Sequence, residues 1–138
     1  MSRIIARESA YKLIFEYLFS KEINKYTFEI FNAGGLSEED SSYLQDVYLG
    51  VIRHYDELID IVSKYSVGFE VDRIYKTDLA ALLLAVYEIK YMPDIPVAVT
   101  ISEVVSIVKT YSTEKSGSYV NGLLANVAKE YGVDKNDN

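Results

Sequence analysis

Apolar residues recur along this chain at intervals of three and four, the period of one helix face. Ala10, Leu13, Ile14, Tyr17 and Leu18 mark a first helix. Ile23, Tyr26 and Ile30 begin a second, which stops at Gly34-Gly35. Leu44, Val47, Tyr48, Val51 and Ile52 mark a third, with Ser37 and Asp40 spaced as its N-terminal cap. A fourth carries Leu58, Ile61, Val62 and Tyr65 and ends near Gly68. The fifth, roughly 76–91, is apolar on all sides from Leu79 to Val86, which predicts a central helix packed on every face. Pro93 and Pro96 then break the pattern. Thr100 with Glu103 reads as a capping box for the sixth helix, and Val99 with Val104 as a hydrophobic staple. Ile101, Val104, Val105 and Val108 supply its stripe. The seventh starts after Ser116, carries Val120, Leu123, Leu124, Val127 and Tyr131 on one face, and ends at Gly132.

The pattern predicts an all-α fold, a compact bundle of about seven helices in one domain over 1–132, with a polar tail at 133–138. Gly50 and Gly122 interrupt two of the helices. Each costs about 1 kcal/mol relative to alanine, which favours a close helix–helix approach over mere tolerance.

Composition narrows the function. The 138 residues are 49% hydrophobic, enough for one core without staples. The chain has no cysteine, which excludes disulfides, thiolate metal sites and cysteine nucleophiles. No signal-peptide pattern opens it, and its most apolar stretch, Leu79 to Ile89, falls short of the roughly 20 residues of a membrane span. A soluble cytoplasmic protein is expected. The net charge of −7 excludes a protein that coats nucleic acid by bulk charge, so any RNA contact needs a local patch. His54 is the only histidine, Glu38-Glu39-Asp40 reads as a charged helix start, and no phosphate-binding glycine loop or zinc pattern is present. Neither an enzyme nor a cofactor is expected.

Several strings in order carry a family resemblance. Ala6-Arg7-Glu8 precedes the first helix, and Leu49-Gly50-Val51 closes the third. Asp72-Arg73-Ile74 leads toward Tyr87-Glu88-Ile89, and Pro96 is followed by Val99-Thr100-Ile101-Ser102-Glu103. Lys115-Ser116 is followed by Tyr119-Val120-Asn121-Gly122-Leu123-Leu124. Together, over roughly Arg3 to Gly132, they resemble the NusB family, with Val120-Asn121-Gly122 as the most specific part. The resemblance implies two three-helix groups sharing a core. It also implies binding of boxA-type single-stranded RNA together with the small-subunit ribosomal protein NusE, within the RNA polymerase antitermination complex.

By that resemblance the RNA candidates are Arg3, Arg7, Tyr65, Tyr111, Lys115, Ser116 and Tyr119, and the partner candidates are Phe15 and Asp78. Arginines near a helix start can meet phosphates, and tyrosines can stack on unpaired bases. Ser116 and Ser118 offer hydroxyls and backbone N–H groups at a helix N-terminus, where the dipole favours anions. Each residue also has a plainer role available: an acid partner for Arg7, core packing for the tyrosines, a cap for Ser116, a first-turn acid for Asp78. The family's arginine-rich start is reduced here, with Ile4 and Ile5 between the two arginines, and Leu79, Leu83 and Ser102 stand where basic residues and asparagine are usual. These departures motivate a rival reading, a protein-only interaction module that keeps the fold and has lost RNA recognition. An RNA-binding domain serving a methyltransferase is a third, weakened by the lack of any glycine-rich cofactor segment.

Overall fold

The computed structural model describes residues 2–68 and 70–132; for Ser2 only the backbone is described. The expected polar tail, 133–138, lies outside the described residues. Among the described residues seven α-helices follow in order: α1 (Ser2–Ser20), α2 (Lys25–Asn32), α3 (Glu38–Arg53), α4 (Tyr55–Tyr65), α5 (Lys76–Tyr91), α6 (Val97–Tyr111) and α7 (Ser116–Tyr131). One 3-10 turn, Val71–Arg73, joins α4 to α5. Helices α1–α3 make one group and α5–α7 the other, with α4 bridging them; α5 packs against α1, α3, α4, α6 and α7. This centrality follows from its sequence, because residues 78–89 are all buried.

No helix among the described residues is long and apolar enough to cross a membrane.

The caps show where sequence spacing was a sound guide. Ser37 accepts the amide of Asp40 at the start of α3, as its position predicts. Thr100, by contrast, is not a cap. Pro96 holds that position for α6, Val99 is exposed, and the Thr100 hydroxyl turns inward to Glu88 at 2.7 Å. A buried carboxylate with lone pairs to satisfy outcompetes a helix end that water can serve. The face of α2 also differs from expectation. Ile23, Tyr26 and Ile30 are exposed, while Phe28 and Phe31 pack on the core, Phe28 stacked on Tyr48. The two larger rings, three residues apart, take the inward face.

Gly50 and Gly122 prove unlike. A Cβ on Gly50 would overlap the Tyr87 ring, so the close approach of α3 to α5 requires glycine there. Gly122 is exposed and a Cβ on it would meet nothing within 4 Å, so no packing inside the chain accounts for it. Gly132 has an ordinary negative φ, yet a Cβ there would come within 2.7 Å of Val97 Cγ2.

Candidate nucleic-acid interface

The arginines at the start of α1 are engaged with acids. Arg3 lies partly exposed over the Tyr43 ring, its Nε 2.8 Å from Asp40 Oδ1. Arg7 is 2% exposed. Its Nε donates to Glu88 Oε2 at 2.8 Å and its Nη2 to Oε1 at 3.3 Å, and Glu103 lies 3.8 Å from Nη1. Tyr43 and Thr100 also donate to Glu88, so four helices meet on one fully buried carboxylate. Burial alone would lower the Arg7 pKa, but hydrogen bonding to Glu88 and the charges of Tyr43 and Glu88 raise it. Arg7 therefore presents no guanidinium to solvent, and its acid partner is Glu88, distant in sequence.

A second group gathers where α5 begins and α7 begins. Asp78, 4% exposed, accepts the Ser112 hydroxyl at 2.7 Å. Ser112 has one proton and gives it to Asp78, so Thr77 and Ser116 donate to Ser112, at 2.7 and 2.9 Å. Ser116 in turn accepts from the Thr113 amide at 3.1 Å and from the Thr113 hydroxyl at 2.9 Å. The protons of this chain all run toward one carboxylate, which fixes the turn between α6 and α7. Ser116 is buried by that work and Asp78 is not a surface acid.

The fixed turn presents Lys115 to solvent and aims Tyr119, half-buried, toward α4, where its phenol is 2.9 Å from the Ser66 hydroxyl. Tyr65, the last residue of α4, donates to Glu130 of α7, which Lys64 also reaches at 2.9 Å. Between the start of α5 and the start of α7 lies an open cleft of about 740 Å³, lined by Arg73, Ile74, Tyr75, Asp78, Thr113, Glu114, Lys115, Ser116 and Tyr119. Tyr111, at the end of α6, is exposed and faces Tyr11, with Lys12 Nζ 5.3 Å from its ring centroid. Burial, followed by the Asp78 charge, pushes the Tyr11 phenol up to about 12.

Phe15 and Phe19 make a separate apolar edge at the end of α1. Phe15 packs partly on the core, and Phe19, 62% exposed, meets it edge-on at 5.0 Å with Lys76 Nζ 5.5 Å from its ring. Leu79 and Leu83 are buried, so these two departures alter core packing and not the surface.

The structure thus brings Lys115, Ser116, Tyr119 and Asp78 to one cleft and leaves Arg3 and Arg7 elsewhere, on the α3 and α6 side of α1. Sequence reasoning gave no site role to Phe19, Arg73 or Tyr75, which the structure places beside the candidates. Phe19 was legible as the helical neighbour of Phe15 four residues on. Nothing in local spacing marks Arg73 and Tyr75, because the cleft forms from segments about forty residues apart.

Known proteins resemble this chain over nearly its whole length. A family model described as the NusB family matches residues 4–129. The chain is 41% identical to a transcription antitermination protein NusB of Acetivibrio thermocellus, over 94% of this chain and 90% of that one. It is 36% identical to the protein of that name from Finegoldia magna, over 94% and 95%. Among solved structures, NusB of T. maritima superposes with a TM-score of 0.86 at 28% identity, covering 96% of this chain and 95% of that one. A chain from a complex of the antitermination factors NusB and NusE with dsRNA superposes with a TM-score of 0.84 at 24% identity, covering 94% and 98%.

Proposed function

The chain belongs to the NusB family, and on that premise we propose that it is an RNA-binding adaptor in transcription antitermination. It binds boxA-type RNA together with NusE and acts within the RNA polymerase antitermination complex. The observation that carries this reading is the likeness to a NusB protein over most of both chains, 41% identity over 94% of this chain and 90% of that one. It works as a scaffold in the cytoplasm, without catalysis, as one domain over 1–132. Two ligands held on one body raise each other's affinity through a shared coupling free energy.

The surface supports a division of labour. Lys115 meets phosphate, and Tyr119, Tyr65 and Tyr111 offer rings to unpaired bases. Arg3 contributes at the edge, its charge partly compensated by Asp40. Arg7 and Ser116 act from beneath the surface, Arg7 by seating α1 on Glu88 and Ser116 by fixing the turn. For NusE, Phe15 with Phe19 forms the anchor on α1, and Asp78 acts as a positioning residue for the neighbouring turn.

The test is binding of a boxA-type single-stranded RNA by the purified chain, with and without NusE, across a salt series. Weak, salt-sensitive binding that NusE strengthens is expected, given a net charge of −7. Equal RNA affinity in both conditions removes the cooperative mechanism. NusE binding with no RNA gain returns the protein-only module.

A further inference from the structure

The cleft between the start of α5 and the start of α7 mixes three chemistries. Arg73 and Lys115 are exposed cations on its wall, and among the described residues neither is held in an ion pair. That separates them from Arg3 and Arg7, whose charges are met by Asp40 and Glu88. Two aromatic rings line the same cleft: Tyr119, held through Ser66, and Tyr75, 63% exposed just before α5. Glu114 adds a hydrogen-bond acceptor at the rim. The volume of about 740 Å³ falls in the range of roughly 300–1,000 Å³ typical of small-ligand sites.

A simple anion needs cations alone and gains nothing from two rings and a carboxylate. A nucleotide has a phosphate for Arg73 and Lys115, a π-face for a tyrosine, and an amino edge for a carboxylate acceptor. The wall that carries Lys115 is also fixed, because the Asp78–Ser112–Ser116 chain orders the turn before any ligand arrives. We propose that this cleft receives one unstacked nucleotide of a single-stranded RNA, its base against Tyr75 and its phosphate between Arg73 and Lys115. The inference rests on the RNA-adaptor reading and adds two residues, Arg73 and Tyr75, to its RNA surface.

The chain contains no tryptophan, so Tyr75→Trp installs a single reporter in the cleft. Labelled boxA-type single-stranded RNA is titrated in the presence of NusE, and total binding is read by anisotropy while Trp emission at position 75 is followed. Saturable quenching that tracks RNA binding is expected. Tyr75→Ala should weaken RNA binding about fivefold or more, the low end for loss of one stacked base. Arg73→Ala should weaken it at all RNA sequences and reduce the salt slope by about one. RNA binding with unchanged emission, and with both alanine variants within twofold of the parent, overturns the cleft proposal and leaves the adaptor reading standing. Quenching by NusE alone, unmoved by RNA, assigns the cleft to protein and also overturns it. Absence of RNA binding by the unsubstituted chain under every condition removes the adaptor reading and the cleft with it.

Discussion

The guanidinium of Arg7 on α1 grips the carboxylate of Glu88 on α5 with two hydrogen bonds, 2.8 and 3.3 Å long, in the interior where the two helix groups join. Glu88 has no exposure, so removing Arg7 takes away the guanidinium that neutralises a carboxylate in the core, while the Tyr43 and Thr100 hydroxyls still donate to it. Arg7→Ala should therefore cost about 3–5 kcal/mol of stability, as breaking one side of a buried pair does. Arg3→Ala, at a partly exposed pair with Asp40, should cost no more than about 1 kcal/mol. Denaturant midpoints of the two variants decide it. If Arg7→Ala loses RNA affinity while keeping parental stability, Arg7 is a contact residue and the burial argument is wrong.

Two helical glycines should respond to alanine with opposite signs. At Gly50 a Cβ overlaps the ring of Tyr87, and that ring is tied by its phenol to Asp46 at 2.6 Å. It cannot swing aside without breaking the bond, so Gly50→Ala should destabilise by about 1–3 kcal/mol through overpacking. At Gly122 nothing lies within 4 Å, and alanine should stabilise by about 0.5–1 kcal/mol through helix propensity and a less floppy unfolded chain. Thermal unfolding of both single variants checks the pair. A loss of stability at Gly122→Ala contradicts the open surroundings described for it.

Helix count, order and the burial of α5 were legible because 3.6-residue periodicity is a local signal. Ser37 was legible for the same reason, since a cap is read within four residues. What escaped was set by contacts distant in sequence. Thr100 and Glu103 have capping-box spacing, but Glu88, twelve residues before Thr100, takes the hydroxyl. Arg7 was expected among the RNA contacts from family position, and an acid 81 residues away buries it. Asp78 looked like a surface acid in a first turn until the turn at Ser112 folded over it. The resemblance brought Lys115 and Tyr119 forward as residues, while their shared cleft with Arg73 and Tyr75 exists only once the start of α5 is packed beside the α6–α7 turn and α7.

Stability should fall on the alkaline side. Burial, then the Asp78 charge, holds the Tyr11 phenol up to about 12, against an ordinary value of 10.0. Burial, then Glu88, pushes Tyr43 well above that value, and burial with the hydrogen bond to Asp46 raises Tyr87. A phenol raised in the folded state binds its proton more tightly there than in the unfolded chain. Its contribution is complete below pH 10.0 and is lost as pH climbs through 10 toward about 12. Unfolding midpoints should be level below pH 10 and drop above it, with phenolate absorbance from these three tyrosines appearing only as the helices melt. Titration of all 13 tyrosines together near pH 10 with helicity intact would contradict the burial of Tyr11 and Tyr43.

Phe15 and Phe19 share one edge of α1 yet should separate binding from folding. Phe15 packs on the core, so Phe15→Ala removes apolar contacts within the chain as well as any contact with NusE. Phe19 is 62% exposed and its neighbours are the Phe15 ring edge and the Lys76 ammonium. Phe19→Ala should leave stability within about 0.5 kcal/mol, as surface substitutions usually do. An exposed aromatic braced by a second ring is pre-ordered for docking, so NusE affinity should fall about fivefold or more, the threshold of a significant interface residue. Calorimetry of NusE binding to the two variants, with their melting temperatures, distinguishes the roles. Unchanged affinity in Phe19→Ala moves the NusE contact off the end of α1, and a matching loss of stability and affinity in both variants reduces the edge to packing.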